Sequence, residues 1–184
     1  MFLYFLYFYS PTINNKLTEP CFGTLKLHLR LTVVVVVVMV KSVIGAIATV
    51  SERGAEVRCG RFRFETSPSP ALGGVGGEEV PTPPQLLVSA LAACLTEMFK
   101  MVSEEKGVKL EGLRVIAEAS IDPEGVKGVE GHDAALRDFS VKIRVKGASQ
   151  EVAEEIIREV ERRCPVGLAL SRANQIKVEV KTGK

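Results

Sequence analysis

Two stretches near residue 50 alternate apolar and polar positions. Residues 42–51, SVIGAIATVS, are rich in Val and Ile, and after ERG the segment 55–65, AEVRCGRFRFE, alternates again, which predicts a hairpin of two strands. Within the second strand Val57 and Cys59 share one face while Phe62 and Phe64 have the opposite parity, so a bulge is expected at Gly60. Residues 67–84, SPSPALGGVGGEEVPTPP, then break every period and read as a loop. A sharp helix start closes it: Thr82 caps, Pro83 occupies a position where a missing N–H costs nothing, and Gln85 completes a capping box. The helix is expected to run to about Lys106, with Gly107 as its stop. Leu86, Leu87, Val88, Leu91, Met98, Phe99, Met101 and Val102 crowd it with apolar side chains, so most of the circumference of its first half must be covered.

Two further alternating runs, KLEGLRVIAEASID (109–122) and ALRDFSVKIRVKG (135–147), are separated by PEGVKGVEGHDA, in which Gly125, Gly128 and Gly131 recur every third residue. The pattern predicts a pair of strands joined by a long, mobile loop; with no strand-to-helix step following, a phosphate cradle is not indicated. Ser149 caps a second helix over 150–163, whose stripe Val152, Ile156, Val160 and Cys164 advances in four-residue steps. Pro165 disfavours helical geometry at Cys164 and ends or bends the helix there. Residues 166–174 are expected to restart as a short helical turn, and 175–182, QIKVEVKT, to form a last strand. The order of elements predicts an α+β domain with its helices packed on antiparallel sheet.

The first 38 residues differ from the rest. They hold all three tyrosines and only four charges, whereas residues 39–184 carry 21 basic and 21 acidic side chains. MFLYFLYFY lacks preceding basic residues and a small-residue cleavage site, and LTVVVVVVMV is only ten residues long, short of the ~20 that span a bilayer. Residues 1–38 are therefore expected to be an extension outside the fold, doubtful or disordered, with translation beginning near Met39 and one domain over 39–184. A balanced body offers nucleic acid or an acidic membrane no strong attraction, so neither is expected as a partner.

Cys21, Cys59, Cys94 and Cys164 form no CxxC and no dense cluster, which argues against a zinc site or a disulfide scaffold and suits a cytoplasmic chain. His28 and His132 leave little material for an imidazole metal centre. Cys59 reads as a strand-face residue. Cys94 lies on a stripe with Leu86 and Ala90, amid the small residues Ser89, Ala90, Ala92 and Ala93. Taken locally, both Cys94 and Cys164 read as buried core sulfurs.

Taken together, PTPPQLLVSALAAC (81–94) and, 70 residues after Cys94, CPVGLAL (164–170) resemble the paired signature of the OsmC/Ohr family of osmotically inducible and organic-hydroperoxide-resistance proteins. The resemblance spans about residues 43–182. It implies the OsmC-like fold, an intertwined homodimer with active sites at the subunit interface, and thiol-dependent reduction of organic hydroperoxides. Cys94 would attack the peroxide and Cys164 would resolve. No metal, flavin or other resident cofactor is implied; a lipoyl group or another external dithiol would serve as reductant. In such a cycle the attacking thiolate becomes a sulfenic acid, which the second thiol captures as a disulfide before further oxidation.

The sequence departs from the family where the attacking thiol should be ionised. The first helical turn offers Pro84 and Gln85 in place of a carboxylate, and no arginine lies between Thr66 and Gln85. Arg61 and Arg63 are the nearest cations and Glu78 or Glu79 the nearest loop acids; equally, Gln85 reads as a capping residue and both arginines as exposed strand cations. Glu97, one turn after Cys94, opposes thiolate formation or pairs with an arginine across a dimer interface. Arg162 and Arg163 suit the negative end of their helix. Two other functions fit the same residues: a thiol protein for redox sensing or sulfur transfer, and a module holding an apolar ligand in an interface pocket.

Overall fold

The structure is a computed structural model and describes residues 42–172 and 176–180. The chain divides into two units, residues 1–42 and 43–184. The expected extension over 1–38 and the start at Met39 lie outside the described residues.

Strand β1 (Ile47–Val50) pairs antiparallel with β2 (Ala55–Cys59), and β2 with β3 (Phe62–Thr66). Residues 42–46 are not part of β1. The expected single strand over 55–65 is instead a second hairpin. Gly60 has φ +59° and occupies the first central position of a two-residue turn, where glycine meets the II′ requirement. Cys59 therefore stands opposite Phe62, and Val57 opposite Phe64. The parity switch marks a change of strand, not a bulge.

The loop after β3 contains a single 3-10 turn, Pro70–Leu72, and folds over buried Ser67. The Ser67 hydroxyl donates to the Arg53 carbonyl at 2.5 Å and accepts from the Val75 N–H at 3.1 Å. Gly74 and Gly76 pass so close to this strand end that an added Cβ would lie 2.1 and 2.2 Å from backbone oxygens, so the loop requires glycine at both positions.

Helix α1 (Pro83–Glu105) begins with the expected capping box: Thr82 Oγ1 accepts from the Gln85 N–H at 3.2 Å, and Gln85 Oε1 accepts from the Thr82 N–H at 2.8 Å. It ends at Lys106, followed by Gly107 at φ +68°. Strands β4 (Gly112–Ser120) and β5 (Arg137–Lys146) form a separate antiparallel pair. Their connection is not wholly irregular, because Asp122 caps a one-turn helix, α2 (Pro123–Val126), by accepting from the Glu124 N–H at 2.9 Å. Helix α3 (Gln150–Arg163) is capped by Ser149, and α4 (Pro165–Ser171) follows it after one residue. Residues 176–180 are not in a strand, and the remainder of the expected last strand, 175 and 181–182, lies outside the described residues.

The core forms where the second half of α1 meets α3. Leu91, Leu95, Phe99 and Val102 pack against Ile156, Val160 and Cys164, and the same-face residues Leu113, Val115, Ala117, Ile143 and Val145 of β4 and β5 close over them. Burying each large aliphatic side chain contributes about 1.5–3 kcal/mol. The expected cover over the first half of α1 is not supplied by the described residues: Leu87, Ser89 and Ala90 are exposed. The apolar side chains Ile47, Val50 and Phe62 of the three-stranded sheet are 57, 92 and 66% exposed.

Candidate functional site

The two sulfurs predicted from the paired motifs meet. Cys164 Sγ donates to Cys94 Sγ at 3.0 Å, and both are free thiols. Cys94 comes from the middle of α1 and is half-buried; Cys164, at the junction of α3 and α4, is fully buried. The bonded separation of a disulfide is about 2.05 Å, so closing the bond requires a shift of about 1 Å.

The junction is built by sequence. Cys164 ends α3 with extended backbone geometry (ψ 108°), its N–H still bonded to the Val160 carbonyl, while Pro165 occupies the first position of α4. Cys164 is thereby also the N-cap of α4, and its sulfur accepts from the Gly167 N–H at 3.3 Å. The Val166 N–H donates toward Cys94. These amides were missed in the sequence, although a Cys-Pro step at a helix start carries the signal: a side-chain acceptor before a proline at N1. Gly167 packs against the pair, with a Cβ there falling 3.4 Å from Cys164 Sγ.

The electrostatics oppose ionisation of Cys94. Burial, its hydrogen bond with Cys164, and the charges of Cys164 and Glu97 push its thiol above the ordinary range, against a smaller downward pull from the Val166 N–H. When Cys164 is the donor the sulfur–sulfur bond favours a Cys94 thiolate; when Cys94 is the donor it holds the proton on Cys94. The burial cost adds to the second, and the net direction is up.

The expected supporting residues lie elsewhere. Gln85 is engaged in the capping box. Arg61 lies in the β2–β3 turn with its guanidinium 5.7 Å from the Phe62 ring centre, and Arg63 on β3 stands opposite Arg58. Neither is among the described groups acting on Cys94. Glu79 receives Arg53, which also binds Glu65. Arg162 pairs with Glu159, while Arg163 reaches Glu105.

A cavity of about 1370 Å³ opens beside the first half of α1, lined by Ala55, Leu72, Pro83, Val88, Ile121 and Val126 among others. Neither cysteine lines it. It exceeds the ~300–1,000 Å³ of small-molecule pockets.

Two motifs 70 residues apart that join their sulfurs are matched as a unit: a family model described as OsmC-like protein covers residues 76–181, more than half of the chain and both cysteines. The chain belongs to this OsmC-like family. Among solved structures, this OsmC-like protein is similar to an OsmC-like protein from Mycoplasma pneumoniae (18% identity, 72% of this chain and 89% of that chain, TM-score 0.59). It is also similar to an organic hydroperoxide resistance protein OsmC from Legionella pneumophila (22%, 72% and 91%, TM-score 0.58). A third likeness is to an organic hydroperoxide resistance protein from Elizabethkingia anophelis (23%, 72% and 90%, TM-score 0.58). At these identities the likeness establishes the fold, an α+β arrangement with antiparallel sheets. No curated protein matches the sequence.

Proposed function

We propose that this OsmC-like protein is a thiol-dependent peroxidase that reduces organic hydroperoxides through Cys94 and Cys164. The observation that carries the reading is the 3.0 Å contact between two free thiols, one half-buried and one fully buried. The Cys94 thiolate attacks the O–O bond, forming a sulfenic acid and releasing the alcohol. Cys164 then attacks the sulfenic sulfur, water leaves, and a disulfide forms. A lipoyl group or another external dithiol returns both thiols, with no resident cofactor and no metal. The fully buried resolving sulfur is protected from peroxide, and its position makes capture intramolecular. A reducing, cytoplasmic setting suits this cycle, with neither nucleic acid nor membrane as a partner.

The working form in this reading is a homodimer. The exposed side chains Ile47, Val50 and Phe62, the uncovered first half of α1 and the open cavity beside it support a second copy covering this face. An arginine supplied across that interface would offset the forces that hold the proton on Cys94.

One observation favours a second reading. With no arginine among the described groups acting on Cys94 and its thiol pushed upward, slow oxidation suits redox sensing or sulfur transfer better than turnover. Steady-state consumption of cumene hydroperoxide with dihydrolipoamide as reductant separates them. Multiple turnovers lost in Cys94→Ser are expected; a wild-type protein that stops after one turnover, or a Cys94→Ser variant that keeps turning over, overturns the peroxidase reading.

A further inference from the structure

One ion pair between separate elements is joined to the sulfur pair by a single peptide bond. Arg163, the residue before Cys164, donates through both terminal nitrogens to the two carboxylate oxygens of Glu105, at 2.5 and 2.8 Å. Its Nη1 also lies 3.8 Å from Glu159 on its own helix. A bidentate guanidinium–carboxylate pair fixes direction as well as distance. Glu105 is the last residue of α1, where the helix's negative end disfavours a carboxylate, and the Arg163 guanidinium holds its carboxyl below the usual range.

Cys94 lies on the same helix, about 16 Å before Glu105 at 1.5 Å per residue. Neighbouring residues at the end of α3 therefore touch α1 at two separated points, Cys164 at the sulfur and Arg163 at the carboxylate. Ile156 and Val160 already seat α3 on α1, and the bidentate pair adds a directional restraint at the end of α3 that carries Cys164.

We infer that the Arg163–Glu105 pair is a positioning element for the dithiol, holding the Cys164 thiol against Cys94 so that the S–S bond closes with little motion. This rests on the proposed exchange of the pair between dithiol and disulfide. In that exchange two thiols lose two electrons and two protons to an external disulfide, which becomes a dithiol. A held pair has already given up freedom that the bond removes, so the held protein favours the disulfide more than a released one.

The test is equilibrium titration of the pair in oxidised and reduced dithiothreitol, read by mass after alkylation. Arg163→Gln and Glu105→Gln are each expected to lower the oxidation constant by about threefold to fivefold, the size an exposed ion pair supports, or about 14–21 mV for a two-electron couple. The double variant should fall no further than either single one, and Arg163→Lys should recover part of the loss. Glu155→Gln removes a second ion pair described between these helix regions, Lys106–Glu155 at 2.5 Å, away from the sulfurs, and should leave the constant unchanged. Unmoved constants in both Arg163→Gln and Glu105→Gln, or an equal shift in Glu155→Gln, overturn the positioning role alone. A wild-type pair that stays reduced at every buffer ratio overturns the dithiol reading beneath it.

Discussion

The half of the molecule built from the end of α1, β4, β5, α3 and α4 closes a buried core of its own, whereas β1–β3 and the start of α1 leave most of their large apolar side chains at least partly exposed. Phe99, Val102, Ile156 and Val160 are at most 1% exposed, while Val50 and Phe62 stand 92 and 66% exposed. Both halves carry alternating or striped apolar sequence, so the difference is not composition. It is that α3 finds a facing stripe on α1, and the three-stranded sheet finds none within the described chain. The two sulfurs differ in burial: Cys164 is sealed in the core of the closed half, while Cys94, packed against the same core, is half-buried. Protection of one sulfur and access to the other follow from that placement.

The contrast breaks most visibly in the closed half. Ile156→Ala is expected to cost about 2–5 kcal/mol by removing a fully buried side chain, measured by urea denaturation. In the open half, Phe62→Asp should change the stability of an isolated chain by no more than about 0.5 kcal/mol yet convert a dimer to monomer in analytical ultracentrifugation. A Phe62→Asp protein that loses as much stability as Ile156→Ala would erase the distinction.

The difference between the sulfurs is sharpened by reactivity. Native iodoacetamide labelling of the reduced protein should modify Cys94 well ahead of Cys164, by about 100-fold or more on the difference between half-buried and sealed sulfur. In monomeric Phe62→Asp the pH dependence of Cys94 labelling has a defined sign. Because its thiol is pushed up, the thiolate appears later than in a free cysteine, and the rate should still be rising past the ordinary thiol value of about 8.5. A plateau below that value in the monomer would mean that groups within one chain already ionise Cys94. The smallest effect is expected at Gly167. A methyl there makes ordinary contact with Cys164 Sγ and Leu91, so Gly167→Ala should fold normally and slow disulfide formation by about twofold or less, measured by quenched-flow alkylation.

Much of this was legible in sequence because the signals were local. Thr82 and Gln85 announce a helix start through bonds only three residues long, and the stripe from Val152 to Cys164 fixes which face of α3 turns inward. The Cys94–Cys164 contact was legible through the resemblance of the two motifs, since neither stretch alone distinguishes a reactive sulfur from a core one. What local pattern could not supply was partnership at a distance. The parity switch at Gly60 reads locally as a bulge, and only the pairing of Cys59 opposite Phe62 makes it a turn. The crowded first half of α1 implied cover without saying where that cover comes from. Residues 176–180 alternate like a strand, but alternation does not name the edge on which a strand must hydrogen-bond. Arg163 sits in the last turn of its own helix, as expected, yet the carboxylate it binds through both terminal nitrogens lies on α1.

The central claim is that Cys94 and Cys164 form one redox unit driven by peroxide. Its most direct test mixes fully reduced wild-type protein with one equivalent of cumene hydroperoxide, quenches with acid within seconds, alkylates and maps the peptides by mass. The account predicts rapid loss of both thiols together and a single linked peptide joining Cys94 to Cys164. Free Cys164 beside a Cys94 that remains a thiol, or linkage through Cys59 instead, would contradict it.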